Sequence, residues 1–306
     1  MSSTYDRITL AFKEWLGLIG YSPSTVQHMP RRVQEFFTFL ETQQVSSLQQ
    51  VEHRHIQGFY QLQKDRASHN SGKPLSNSTV NGYLRNLRLL AQYLQETGQG
   101  FLDVDIPNEP KATPEKEILT PTEIMQLYNA IDENITGLRD RALLSVYYGC
   151  GLRSNEGVQL NISDILLEKG LLYVRKGKGY KERYVPFVQS QYQDFKNYLN
   201  YCRPSLIQKA SPTGGGLEGA DAFLLNSHGR RITYLNALTI LKTLQQRTGN
   251  EALQNKPVGL HTLRHSIATH LLQRKMPLED ISQFLGHKSI YSTEVYTHIV
   301  HQHGNF

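Results

Sequence analysis

After Ser22-Pro23-Ser24, apolar side chains recur at Val26, Met29, Val33, Phe36, Phe37 and Leu40. Steps of three and four place these on one face of a helix, and the serine with its proline is a start signal. Pro30 interrupts the run, and a kink is expected there because proline removes a backbone hydrogen bond. A cleaner pattern predicts a helix from Ser78 to Glu96, ended by Gly98 and Gly100. Val80, Tyr83, Leu84, Leu87, Leu90, Ala91 and Leu94 form its apolar stripe, and Asn81, Arg85, Arg88 and Gln92 form its polar one.

Periodicity stops at Asp105. The stretch from there to Lys116 carries three prolines and is mostly polar, so it reads as an extended interdomain linker. Thr120-Pro121-Thr122-Glu123 then supplies a capping threonine, a proline at the first helical position and a glutamate at the third, opening a helix through Ala130. The expected organisation is a helical domain over 1–105, a linker over 106–117 and a second domain over 118–306. Two domains suit the length of 306 residues.

In the second domain an apolar helix is expected from Gly137 to Tyr148, running into Gly149-Cys150-Gly151-Leu152-Arg153. Two alternating runs, Leu171 to Arg175 and Glu182 to Phe187, read as a hairpin around Lys176-Gly177-Lys178-Gly179-Tyr180-Lys181. The remainder reads as helix, apart from a glycine-rich surface loop at Ser211–Gly219. The fold class expected is mainly α, with a small β-sheet or hairpin in the C-terminal domain.

Composition narrows the class. The chain lacks both an apolar run long enough to span a bilayer and a secretory leader pattern at its start, so a cytoplasmic protein without membrane contact is expected. Cys150 and Cys202 are too few for a disulfide framework and are expected to be buried, unreactive thiols. A net charge of +6 favours a polyanionic partner without identifying one.

Candidate chemistry lies in short segments spaced along the second domain. His261-Thr262-Leu263-Arg264-His265, at a helix start, puts His261 and Arg264 one turn apart on one face, where the pair can grip an anion. Arg153 follows the Gly-Cys-Gly turn, and an arginine there is more often a cap or a partner of Glu156. Lys178 sits between two glycines at a hairpin tip, from which it can reach into a groove and protonate a leaving oxygen. His261, His265 and His270 invite a metal reading, but no carboxylate or cysteine lies near enough in sequence to complete an obvious ligand set. No metal is expected.

The order of these segments is specific. Gly151-Leu152-Arg153, then Gly177-Lys178-Gly179, then His261-x-x-Arg264, then Gly286-His287, and Tyr296 nine residues further on, resembles the tyrosine recombinase (phage integrase) family, in particular its Xer-like two-domain members. The resemblance covers Ile118 to His301, and the helical first domain looks like the family's core-binding domain. It implies an α+β catalytic domain that performs site-specific DNA recombination, as in integration, excision, inversion or dimer resolution. Tyr296 would attack the scissile phosphorus, giving a 3′-phosphotyrosyl link and a free 5′-hydroxyl. Arg153 and Arg264 would neutralise the phosphorane oxygens, His261 would assist proton transfer, His287 would hydrogen-bond the phosphate, and Lys178 would protonate the leaving oxygen. Glu156 would orient Arg153.

The resemblance further implies no cofactor, a double-stranded DNA partner with a specific recombination site, and a homotetramer on two sites that is a monomer or weak oligomer without DNA. Arg85, Arg88, Arg31 and Arg32 in the first domain, and Arg175, Lys176, Lys181 and Arg183 around Lys178, are candidate phosphate contacts. Two departures stand out. Asn155 replaces the serine usual in the family, and only ten residues, Thr297 to Phe306, follow Tyr296. A type IB topoisomerase acting as a monomer, or a DNA-binding protein that has lost catalysis, would share much of this pattern.

Overall fold

The computed structural model describes residues 3–68, 72–110, 117–175, 182–208 and 220–286. The chain divides into two compact units, Met1–Pro114 and Glu115–Phe306. Among the described residues, no helix is long and apolar enough to cross a membrane.

The first unit is built on α1 (Ser3–Leu18), α2 (Pro23–Thr42), α3 (His53–Asp65) and α4 (Asn77–Glu96). Ser22 caps α2, its Oγ accepting from the Thr25 amide at 3.2 Å. Pro30 lies buried inside that helix, which continues through it as one α-helical element. Val33, Phe36, Phe37 and Leu40 are fully buried against α4's Leu84, Leu87, Leu90 and Leu94 in one core. Burying each such side chain contributes about 1.5–3 kcal/mol. α1 adds Tyr5, stacked on Phe37 at 4.4 Å, with its hydroxyl donating to the Val45 carbonyl.

The polar face of α4 differs from expectation. Asn81 is buried, and its amide forms a two-way match with the Glu109 backbone: Nδ2 donates to the carbonyl at 2.9 Å, and Oδ1 accepts from the amide at 2.7 Å. Arg88 donates to the Ile106 carbonyl and to Asn108 Oδ1. The Glu109 carboxylate accepts from the Tyr60 hydroxyl and lies 2.9 Å from Lys64 Nζ. Residues 105–110, read from sequence as linker, therefore form an extended strap on the first unit, with Ile106 buried in its core. Arg88 is committed to that strap and does not project as a free cation. A segment without periodicity can still be fixed when side chains satisfy its backbone polar groups.

The second unit opens with α5 (Pro121–Asn129). As its capping box predicts, Thr120 Oγ1 accepts from the Glu123 amide and Glu123 Oε2 accepts from the Thr120 amide. Helix α6 (Ile135–Leu144) passes into a wider π-turn, Ser145–Gly149, where the sequence pattern predicts unbroken α-helix. The Cys150 amide closes that turn on the Ser145 carbonyl at 2.8 Å. A short α7 (Ser154–Gln159) follows, then an antiparallel sheet of β1 (Ile165–Leu166), β2 (Leu171–Val174) and β3 (Arg183–Pro186) in that spatial order. Leu172 faces Val185 and Val174 faces Arg183 across the hairpin.

Helices α8 (Gln189–Asn197), α9 (Arg203–Gln208), α10 (Tyr234–Arg247), α11 (Glu251–Gln254), α12 (Leu260–Gln273) and α13 (Leu278–Leu285) complete the described unit. Its core joins Leu143, Val146 and Tyr147 to Leu172, Val174 and Val185 of the sheet and to Phe195, Phe223, Leu241 and Leu263. The class is mainly α with a small antiparallel sheet, as expected. Both cysteines are buried, and burial pushes the Cys150 thiol up to about 12. The Ser211–Gly219 loop lies outside the described residues.

Replacing Asn81 by alanine leaves the Glu109 amide and carbonyl without their partner. Asn81→Ala is expected to lower stability in urea titration by about 1–3 kcal/mol and to speed proteolysis at 105–110.

Candidate active site

The π-turn sets the position of Arg153. It delivers the chain to Gly151, whose φ of +60° suits glycine, and a Cβ there would come within 2.9 Å of Leu285 and 3.1 Å of Phe284. Arg153 is the residue that caps α7, and Glu156 lies one turn in. The Glu156 carboxylate accepts from the Arg153 amide through Oε2 and from Arg153 Nη1 through Oε1, both at 2.8 Å.

Two further arginines reach the same carboxylate. Arg183 on β3 donates Nη1 to Oε1 at 3.0 Å and Nη2 to Oε2 at 2.9 Å, a bidentate pair. Arg264 on α12 holds Nη1 3.8 Å from Oε2. Glu156 is thus shared by three guanidinium groups, and its side chain is 12% exposed.

The C-terminus of α13 supplies the opposing acceptors. Phe284 O accepts from Arg183 Nε at 3.1 Å, Leu285 O from Arg264 Nη2 at 2.6 Å, and Gly286 O from Arg153 Nη2 at 2.9 Å. These carbonyls end the helix, where unsatisfied acceptors and the negative end of the helix dipole favour cations. Gly286 turns the chain away with φ +63° and packs on Arg183, so that a Cβ would lie 2.7 Å from Nη1.

His261 stands one turn from Arg264 at the start of α12 and is exposed. Its Nε2 lies 3.3 Å from Ser154 Oγ. Partial desolvation, then the charges of Arg264 and Arg153, hold its pKa below the ordinary histidine value, against a raising contribution from Glu156. A neutral imidazole at pH 7 can accept a proton.

Burial pushes the Glu156 carboxyl up, but Arg183 and Arg153 outweigh it and hold the group at about 2. One carboxylate against three guanidinium groups leaves the cluster with a net positive charge. In a partly dehydrated pocket such a cluster can hold an anion and stabilise charge that develops on it.

The fold thus brings Arg153, Glu156, His261 and Arg264 together. It also separates some expectations. Arg183, expected as a surface phosphate contact, is buried and occupied by Glu156 and Phe284, because strand alternation turns it to the inner face with Val185. Arg175 is half exposed and lies 2.9 Å from Asp164 Oδ1. In the first unit, Arg31 and Arg85 are exposed, and Arg32 lies over the Tyr83 ring at 4.9 Å. Lys176, Lys178, Lys181, His287 and Tyr296 lie outside the described residues.

His270 bonds the Tyr148 hydroxyl through Nδ1 at 2.9 Å. Among the described residues, no three histidine, cysteine, aspartate or glutamate side chains are placed to hold a metal ion. Ser154, as a neighbour of His261, and the three α13 carbonyls were not singled out from the sequence. Their roles arise from helices distant in the chain, with no local signal beyond the αL glycine at 286.

Folding lowers the Glu156 pKa from an ordinary 4.5 to about 2, so its contribution is fully present above the ordinary value and lost as pH falls through about 2. That contribution is on the order of 3 kcal/mol. Acid unfolding followed by circular dichroism should show this loss in the wild type, and Glu156→Gln should lack that component. The variant should also be less stable at pH 7 by about 3–5 kcal/mol, since it leaves buried cations without their counter-charge.

Comparison with known proteins gives the family and the fold. Residues 117–303 match the model of the phage integrase family. Tyrosine recombinase XerD of Listeria innocua is 30% identical over 286 residues, covering 92% of this chain and 89% of that protein. Tyrosine recombinase XerC of Natranaerobius thermophilus is 32% identical over 252 residues, covering 82% and 79%. Among solved structures, XerH site-specific recombinase bound to palindromic difH substrate gives a TM-score of 0.68 at 21% identity, covering 98% of this chain and 82% of that one. The Tn1549 transposon integrase in complex with transposon right end DNA gives 0.69 at 17% identity, covering 94% of each chain. The structures support the fold and the sequence matches the lineage: the chain belongs to the phage integrase family, the tyrosine recombinases.

Proposed function

We propose that this protein cuts and rejoins double-stranded DNA at a specific recombination site, with Tyr296 as the nucleophile. The observation that carries this reading is the convergence of Arg153, Arg264 and His261 around Glu156, at the end of the helix that leads into His287.

Catalysis then divides as follows. The Tyr296 oxygen attacks the scissile phosphorus while its proton passes to a base, the role assigned to the neutral His261. The phosphorus–5′-oxygen bond breaks, and Lys178 supplies the proton that the leaving oxygen takes up. Arg153, Arg264 and His287 hold the non-bridging oxygens as charge develops on them. The product is a 3′-phosphotyrosyl link, whose retained bond energy lets a 5′-hydroxyl from another strand reverse the step. No step requires a metal, since the positive field comes from side chains.

Exchange between two sites requires two strands to be cut in each, which is met by four protomers on two sites. Free protein is then a monomer or weak oligomer, and the reaction belongs in the cytoplasm, where chromosomal and mobile-element DNA meet. Arg31, Arg32 and Arg85 of the first unit, with Arg175 and, by their place in the sequence beside Lys178, Lys176 and Lys181, are the cations that would position the duplex through its phosphates. They carry no sequence information themselves.

The test uses a nicked suicide duplex bearing the site selected from a randomised duplex library by binding to the protein. A covalent adduct retained on a denaturing gel is expected for the wild type and absent for Tyr296→Phe. Equal behaviour of the two proteins would remove Tyr296 as nucleophile.

A further inference from the structure

Arg183 is the one arginine of the cluster to which the phosphate chemistry above gives no role. It is buried at 9% exposure, on the strand β3. Every nitrogen of its guanidinium has a protein acceptor: Nη1 and Nη2 on the two oxygens of Glu156, and Nε on the Phe284 carbonyl. Its fork is therefore spent inside the protein.

Those partners belong to two different elements, and Arg183 stands on a third. Glu156 lies on α7, which carries Arg153 at its start. Phe284 lies in the last turn of α13, next to Leu285 and Gly286, whose carbonyls hold Arg264 and Arg153. Arg183 itself is fixed on β3 opposite Val174. Gly286 leaves just enough room for it, because a Cβ there would meet Nη1 at 2.7 Å and Cδ at 2.8 Å.

We propose that Arg183 is a positioning residue for strand cleavage: it clamps Glu156 from the inner side, so that the carboxylate's remaining reach holds Arg153 in its phosphate-facing pose, and it ties β3 to the end of α13. A bidentate arginine fixes both the position and the plane of a carboxylate, which a lysine cannot do. Without the clamp, Glu156 can turn toward Arg264, whose Nη1 is already 3.8 Å away, and draw both phosphate-binding arginines out of register. Misplacing such a group by about 1 Å is enough to slow a reaction about a hundredfold. The inference rests on the recombinase reading for its kinetic consequences, but the placement of Glu156 by Arg183 does not.

The groups facing Glu156 among the described residues are Arg153 at the start of α7, Arg183 on β3, and Arg264 and His261 on α12. Arg183 is first among the groups that lower its pKa. Loss of Arg183 should therefore let the Glu156 carboxyl titrate at a higher pH. The acid limb of the cleavage-rate profile should move up with it.

The experiment compares wild type, Arg183→Met, Arg183→Lys and the double variant Arg183→Met/Glu156→Met. Each is assayed on the selected nicked duplex for binding and, at saturation, for the rate of adduct formation across pH. Glu156 is followed separately by the carbon resonance of its carboxyl. Arg183→Met should bind within about twofold of wild type, because the side chain makes no surface contact. It should cleave bound DNA about tenfold or more slowly, with the acid limb and the Glu156 titration both displaced upward. Arg183→Lys should fall between the two.

Arg183→Lys keeps a buried cation beside Glu156 and so guards against loss of folding in Arg183→Met, while the double variant exchanges one ion pair for two apolar side chains and leaves the net charge of the cluster unchanged. The double variant should fold and still cleave slowly. The proposal is overturned by wild-type cleavage in the folded double variant, by weakened binding with unchanged cleavage of bound DNA in Arg183→Met, or by an unmoved Glu156 titration. A wild-type protein that forms no adduct contradicts the recombinase reading instead, and the carboxyl titration then decides the placement of Arg183 alone.

Discussion

A single carboxylate shared by three arginines organises the catalytic half of this protein. Guanidinium groups of Arg153, Arg183 and Arg264 repel one another, and two of them have little water to screen that repulsion: Arg183 is 9% and Arg264 3% exposed. Glu156 between them, and three carbonyls at the end of α13 beside them, supply the opposing charge. Neither counterweight suffices alone, since one carboxylate balances one cation and helix-end carbonyls carry only partial charge. The result is a rigid cluster with surplus positive charge, the condition for holding a phosphate while charge shifts across it.

Much of the surrounding architecture follows from assembling that cluster. The π-turn at Ser145–Gly149 adds a residue to the helix and redirects the chain, and Gly151 then passes beneath Leu285 and Phe284, where a Cβ would come within 2.9 and 3.1 Å of their side chains. Arg264 closes the same gap by donating to the Gly151 carbonyl at 2.5 Å and to Leu285 on the other side. α7, α12 and α13 are thereby fastened at one point, and the β2–β3 hairpin joins them through Arg183. Few soft contacts are involved; most are charge-assisted hydrogen bonds with fixed geometry.

How much of this was legible in the sequence differs by residue. The capping box at Thr120, the α4 stripe and the hairpin strands obey local rules of capping and periodicity, and the fold reproduces them. Arg153, His261 and Arg264 could be grouped because their order along the chain is that of a family, and the fold places them in one network. Arg183 was misplaced because basic residues near a lysine-rich tip suggest a surface, although alternation with Val185 marked it as inward-facing. The strap at 105–110 was read as linker because its anchoring lies in Asn81 and Arg88 on a helix, not in any pattern of its own. Within the expected helical domain, α3 has no continuous apolar stripe to mark its bounds, because only Ile56, Phe59 and Gln63 of its thirteen residues are buried.

The central claim is that the arginine cluster acts by meeting charge on the scissile phosphate, and chemical replacement of that charge tests it most directly. A duplex with a methylphosphonate at the scissile position lacks one anionic oxygen. Arg153→Ala should cleave the normal phosphate far more slowly than wild type but should regain much of its rate, relative to wild type, on the methylphosphonate, because the charge that arginine neutralises is gone. An equal deficit of Arg153→Ala on both substrates would contradict the account.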